Sequence, residues 1–368
     1  MAIVNYLLYL KKIDWLLLVP ALLLALIGLA TLYTGTLNVE NPDWTFFNKQ
    51  LIFFIIGFVI MIGASAIDYR VWRNYSLILY LGSIILMVAV LLWGTTIRGT
   101  MGWFYFLGFG LQPVELAKFI LVIALAYVYT KRKGSEDRPV TMIIVAALTI
   151  IPTVLAMLQP DFGSAIVLVA IGLGFFGLVS MKKKHLLFLL VGLVLASILL
   201  WNFVLLDYHQ DRILTFINPM RDPLGEGYNV RQSIIAVGSG QLLGRGLGLG
   251  TQSQLQFLPE TQTDFIFSTI AETLGFLGAC LVIIFFVLLF LRIVFIMREA
   301  KDDFSLYLVY GFGLIFFVQM VINIGMNIGL LPVAGLSLPF VSYGGSFLIM
   351  CMLAVGVIES VRLRQKSL

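Results

Sequence analysis

Apolar residues run along this chain in blocks of about twenty, separated by short stretches of charge, proline or glycine. A helix rising ~1.5 Å per residue needs about 20 such residues to cross a ~30 Å hydrocarbon core. The pattern predicts ten membrane-crossing helices, at about 13–33, 49–67, 75–93, 112–130, 140–158, 160–180, 185–205, 263–297, 304–331 and 343–361. The period-two alternation that marks a membrane barrel is absent, so the expected fold class is an all-α polytopic membrane protein. Only Gln159, Pro160 and Asp161 separate the fifth and sixth spans, and a kinked pair or a re-entrant turn also fits there. One stretch interrupts the pattern. Residues from about 206 to 262 are polar and rich in Gly and Arg, which predicts a large extracellular loop between spans seven and eight of a single domain covering 1–368.

Composition agrees: 60% of the 368 residues are hydrophobic and 12% charged, against about 25% charged in a soluble domain. Charge sets the expected orientation. With the N-terminus inside, seventeen of the 24 cations, from Lys11 and Lys12 to Arg362, Arg364 and Lys366, fall on one side. That positive-inside bias predicts cytoplasmic termini, and it accounts for the net charge of +5 without a nucleic-acid partner. Lys11 and Lys12 precede the first span without a recognisable cleavage site, so the span is read as uncleaved. The six tryptophans lie near predicted span ends, as interfacial anchors do. Cys280 and Cys351 sit inside apolar runs, and His185 and His209 lack ligand-like spacing to them, so a zinc site has no support. The two halves show no matched pair of broken helices, which disfavours an inverted-repeat transporter.

Ionisable residues within spans are costly and therefore candidates for function. In LQPVELAKF, Glu115 and Lys118 stand three apart on one helical face, as a structural ion pair or as a charged floor for an outer pocket. In LQPDFGS, Asp161 suits either a helix cap or a substrate contact. In LPETQTDFIFSTIAETLG, Thr261 and Asp264 fit a capping box. Yet Asp264, Ser268 and Glu272 recur every fourth residue, a polar stripe descending ~12 Å that a cap alone does not require. The run GRGLGLG lacks the βαβ context of a dinucleotide site, so its glycines are expected in tight turns or in close approach to a ligand or the bilayer. SIIAVGSGQLLG is expected to form a short amphipathic helix at the interface. The last outer loop, LLPVAGLSLPFVSYGGSF, offers Ser342 and Tyr343 as cavity-wall candidates.

Five blocks in order, QPVELAK, QPDFGS, NPMRDPLGEGYNVRQSIIAVGSG, LPETQTDFIFSTIAETLG and LPVAGLSLPFVSYGGS, resemble the SEDS family (shape, elongation, division and sporulation) over essentially all ten spans. GYNVRQSIIAVGSG followed by GTQSQLQFLPE is closer to the elongation branch than to the division branch. The resemblance implies a peptidoglycan glycosyltransferase that polymerises lipid II on the outer face of the bacterial cytoplasmic membrane. It places the family's essential aspartate on Asp264, and the family's Glu and Lys on Glu115 and Lys118. It also implies a class B penicillin-binding protein as partner, within a wider set of elongation-complex proteins. Three departures touch accessory positions: Gln262 where the family often has His, Thr273 after Glu272 where a second Glu is common, and Gly102 before Trp103.

Lipid II carries its own diphosphate, so no nucleotide is needed. What is needed is a base for the acceptor hydroxyl and positive charge for the leaving group. Asp264 is the expected base. Lys118, Arg212, Arg221, Arg231 and Arg245 are the candidate cations, with Gln232 and Ser233 beside them and Asp161, Glu272, Ser342 and Tyr343 as further substrate contacts. Alternatively, Mg²⁺ or Mn²⁺ held by Glu115 or Asp264 with diphosphate oxygens would supply the charge. Two other classes stand against this reading: a flippase that moves lipid II, which calls for functional groups on both sides of the barrier, and a non-catalytic scaffold, which leaves the polar stripe unexplained.

Overall fold

The computed structural model describes residues 12–36, 43–97, 99–106, 109–135, 138–178, 207–218, 222, 225–255 and 257–365. In chain order these form α1 (Trp15–Thr34), α2 (Thr45–Ala66), α3 (Tyr69–Trp93), a small sheet, α4 (Pro113–Lys131), α5 (Pro139–Leu158), α6 (Phe162–Gly177), α7 (Asp207–Ile217), α8 (Glu226–Ser239), α9 (Thr251–Gln254), α10 (Ile266–Arg298), α11 (Asp303–Asn327) and α12 (Gly345–Gln365). Eight of them, α1 to α5 and α10 to α12, are long and apolar enough to cross a bilayer, and each coincides with an expected span. α6 is shorter, at 16 residues, and packs against α5 as a helical hairpin. The seventh expected span, 185–205, lies outside the described residues.

The all-α expectation needs one addition. Between α3 and α4, strands β1 (Thr95–Ile97), β2 (Thr100–Phe106) and β3 (Phe109–Leu111) form an antiparallel meander. Thr and aromatic side chains favour extended backbone, and Gly99 at φ +81° turns the chain between β1 and β2. Trp103, expected as a span-end anchor, is a β2 residue paired with Thr95.

α4 and α12 bury residues on nearly every face, the signature of a helix enclosed by others. α3 and α11 pack on α4, α2 packs on α12, and α1 packs on α10. At one end, Asp14, just before α1, accepts from Arg292 of α10 and from Arg362 of α12, while Arg362 also pairs with Glu299. This buried cluster ties three helix ends together.

α10 is not one straight span. At Gly275 the backbone reverses hand (φ 69°, ψ −164°), dividing a polar half, Ile266–Leu274, from an apolar half that can cross the bilayer alone. A broken helix frees backbone groups that must find new partners. The loop after α8 supplies them: Arg245 and Gly246 N–H donate to the carbonyls of Glu272 and Thr273, and Phe276 and Leu277 N–H donate to those of Gln241 and Leu242. Of the glycines expected in tight turns or in close approach, Gly244, Gly246 and Gly248 take turn conformations with positive φ, and Gly244 closes on the protein's own broken helix. A β-carbon on Gly275 would stand 2.2 Å from Gly244 N. Gly275→Ala is therefore expected to cost at least about 1–2 kcal/mol, measurable as a lowered Tm of the purified protein.

Candidate active site

Asp264 is half-buried and lies just before Phe265, the N-cap residue of α10. The capping box expected of Thr261 is not formed. The chain first makes a turn in which Thr263 and Phe265 N–H both donate to the Glu260 carbonyl, so the helix begins too late for Thr261 to cap it. The backbone carbonyl of Asp264 is pinned from α11. Asn323 Nδ2 and Asn327 Nδ2, one turn apart on α11, donate to the Asp264 carbonyl at 3.0 and 2.9 Å. Its carboxylate borders the last loop, where a β-carbon on Gly335 would stand 3.8 Å from Oδ2.

The expected stripe below Asp264 is built into the protein. Ser268 is fully buried; its N–H and hydroxyl both meet Asn327 Oδ1, at 3.0 and 2.6 Å, and its hydroxyl also meets that of Ser233 on α8. Glu272 is likewise fully buried. Its two oxygens accept from the N–H groups of Gln252 and Ser253 and from the Ser253 hydroxyl, so it caps α9 from a distance in sequence. Such N–H groups at the start of a helix have no partner within it. Glu272 is thus a loop anchor here, with no exposed surface to offer a substrate.

Ser342 and Tyr343 are brought to the same turn. The Ser342 hydroxyl donates to the Thr263 carbonyl at 2.7 Å, and Tyr343 N–H donates to that of Gln262 at 2.8 Å. Gln50 of α2 braces this loop by donating to the Ser342 carbonyl and accepting from Gly344 N–H. The Tyr343 ring packs edge-on against Phe46, with centroids 4.9 Å apart.

Glu115 and Lys118 form an ion pair at 2.8 Å on α4. Lys118 is fully buried, its ammonium 5.7 Å from the centre of the Phe347 ring of α12. Glu115 Oε2 is buried without a hydrogen-bond partner among the described residues. Nearby, Asp161 caps α6 by accepting from Ser164 N–H at 2.9 Å, and its second oxygen accepts from Gln112, the residue before α4. Arg231 and Gln232 are half-buried on α8, whereas Arg245 is exposed and donates to the Ser239 carbonyl and the Thr251 hydroxyl. Arg212 belongs to α7, and Arg221 lies outside the described residues.

Sequence reasoning missed Asn323 and Asn327. Their signal was present: with Gln319 they recur every fourth residue inside an apolar helix. Asn327→Leu would leave the buried Ser268 N–H without a partner, a penalty of about 1–3 kcal/mol. It is also expected to loosen Asp264, reducing turnover at least about tenfold while substrate binding persists. Separate measurement of turnover and binding checks this.

The sequence profile of the FtsW/RodA/SpoVE family, described as cell cycle proteins, matches residues 13–367. The chain belongs to this family. Among FtsW/RodA/SpoVE relatives, it is 37% identical over 352 residues to the peptidoglycan glycosyltransferase MrdB of Escherichia coli K12, covering 95% of this chain and 94% of that one. It is 34% identical over 380 residues to the probable peptidoglycan glycosyltransferase FtsW of Geobacter metallireducens, covering 99% of each. A solved chain described under "Structural coordination of polymerization and crosslinking by a peptidoglycan synthase complex" superposes with a TM-score of 0.80 at 27% identity, over 96% of this chain and 99% of that one. Family membership and the apolar helices together make this a multi-pass membrane protein.

Proposed function

We infer that the chain is a peptidoglycan glycosyltransferase that polymerises lipid II, with Asp264 as the base that takes the proton of the acceptor hydroxyl. The observation that carries the reading is a half-buried carboxylate whose backbone is pinned by two asparagines, within a family whose named relatives carry this activity. Fixed geometry lowers the cost of reaching the acceptor. Oxygen attacks the anomeric carbon and the diphosphate departs with its bonding electrons. No acid is required for so stable a leaving group.

Charge for that leaving group would come from the arginines of the polar segment, among them Arg231 and Arg245. Lys118 would serve only after its surroundings open, because it is fully buried and its ammonium pairs with Glu115. A divalent cation remains part of the proposal. Among the described residues no three of His, Cys, Asp and Glu gather, so Mg²⁺ or Mn²⁺ would depend on diphosphate oxygens and water, with the unpartnered Glu115 Oε2 as a protein ligand. It would supply charge neutralisation. The charge asymmetry supports a site facing outward from the cytoplasmic membrane. The GYNVRQSIIAVGSG block supports a role in elongation, and the similarity to a synthase complex supports a class B penicillin-binding protein as partner.

The test is incubation of the detergent-purified chain with labelled lipid II. Glycan polymer is the expected product. Lipid II that stays monomeric in detergent but crosses vesicle membranes would replace this reading with a flippase.

A further inference from the structure

At the far end of α4 from Glu115 lies a recess with a different character. Arg73 and Asn74, in the first turns of α3, and Tyr127, Thr130 and Lys131, in the last turns of α4, line a cavity of about 430 Å³, within the ~300–1,000 Å³ usual for ligand sites. Two cations face it and no carboxylate does. Several other cations at this end are paired: Lys133 with Asp303, Arg364 with Asp68, and Arg292 and Arg362 with Asp14. Arg73 and Lys131 have no ion-pair partner among the described residues; Lys131 lies 5.8 Å from the centre of the Tyr127 ring. Asn74 is exposed and adds an amide donor.

Depth indicates the ligand. Arg73 is four residues into α3, roughly 6 Å from the helix end at ~1.5 Å per residue, the level of lipid headgroups when the helix spans a bilayer. Val71, Tyr75, Leu77 and Ile78 of the same helix are exposed and apolar, a surface suited to acyl chains and not to water. A soluble anion would gain from the cations alone. A phospholipid gains from both.

We propose that this recess binds the phosphate of an anionic phospholipid headgroup, with Arg73 and Lys131 as its cations and Asn74 as a donor. Basic pockets between membrane helices suit such headgroups, and arginine can hold two phosphate oxygens at once. The bound lipid bridges α3 and α4 where the two helices end. The proposal is independent of the glycosyltransferase reading.

Native mass spectrometry of the purified full-length chain tests it, with phosphatidylglycerol and cardiolipin as probes, phosphatidylcholine as the neutral lipid, and inorganic phosphate as the free anion. The anionic lipids should be retained in preference to phosphatidylcholine. The double variant Arg73→Gln/Lys131→Gln should lose about tenfold or more in their affinity, whereas Arg132→Gln/Arg138→Gln, which neutralises two cations outside the cavity, should lose little. Asn74→Trp fills the recess with both charges intact and should also weaken retention, so the test survives if the double variant misfolds. Equal losses in both double variants, or retention unchanged by Asn74→Trp, would overturn the site. Inorganic phosphate displacing the lipids at equal concentration would overturn the lipid as its ligand.

Discussion

Asp264→Asn protein is expected to purify and melt like the unsubstituted protein and to make no detectable glycan from lipid II. Two contacts that fix this residue reach its carbonyl from Asn323 and Asn327, and the substitution leaves the carbonyl in place. What disappears is the group able to accept a proton. General base catalysis contributes about 10²–10⁴-fold, so residual polymerisation should be at least that much slower while lipid II binding is retained. Quantifying polymer by gel and substrate by direct binding separates the two effects. Normal glycan formation would remove Asp264 from the chemistry. Partial recovery on raising Mn²⁺ would instead identify it as a metal ligand.

The second large effect concerns Lys118. Lys118→Met should destabilise the protein by roughly 3–5 kcal/mol, because it leaves the Glu115 carboxylate buried without the one hydrogen-bonded partner it has among the described residues. Glu115→Gln/Lys118→Met removes both charges together and should recover most of that stability. The pair of variants therefore distinguishes two roles. If the double variant is stable but binds lipid II poorly, the pair serves the diphosphate as well as the fold, through the ammonium or through a cation held at Glu115. Unchanged affinity would leave Lys118 a structural partner of Glu115 only. Thermal unfolding together with a binding assay provides both readings.

Much of the candidate site was visible as residue types out of place. Asp264, Glu115, Lys118 and Asp161 stood out because charge inside an apolar run is costly, and Ser342 and Tyr343 because irregular backbone near a membrane must be enclosed. Their environments were less visible. Spacing put Glu272 on one face with Asp264, but it could not show that a helix twenty residues upstream needs that carboxylate as a cap. Nor could it show that glycines 240 and 244 close against a break in α10 and not against a ligand.

By itself the sequence determined the class of protein and the positions of eight helices long and apolar enough to cross a bilayer. Hydrophobic run length must match a bilayer of set thickness, so that information is local and additive along the chain. The family blocks, equally local, determined which carboxylate to consider first. Only the tertiary structure decided how that carboxylate is held. Asn327 is 63 residues from Asp264, Gln50 is 292 from Ser342, and Asp14 is 348 from Arg362. Such pairings follow from how helices pack once every polar group leaving water must find a partner. No period within one helix can name a partner on another.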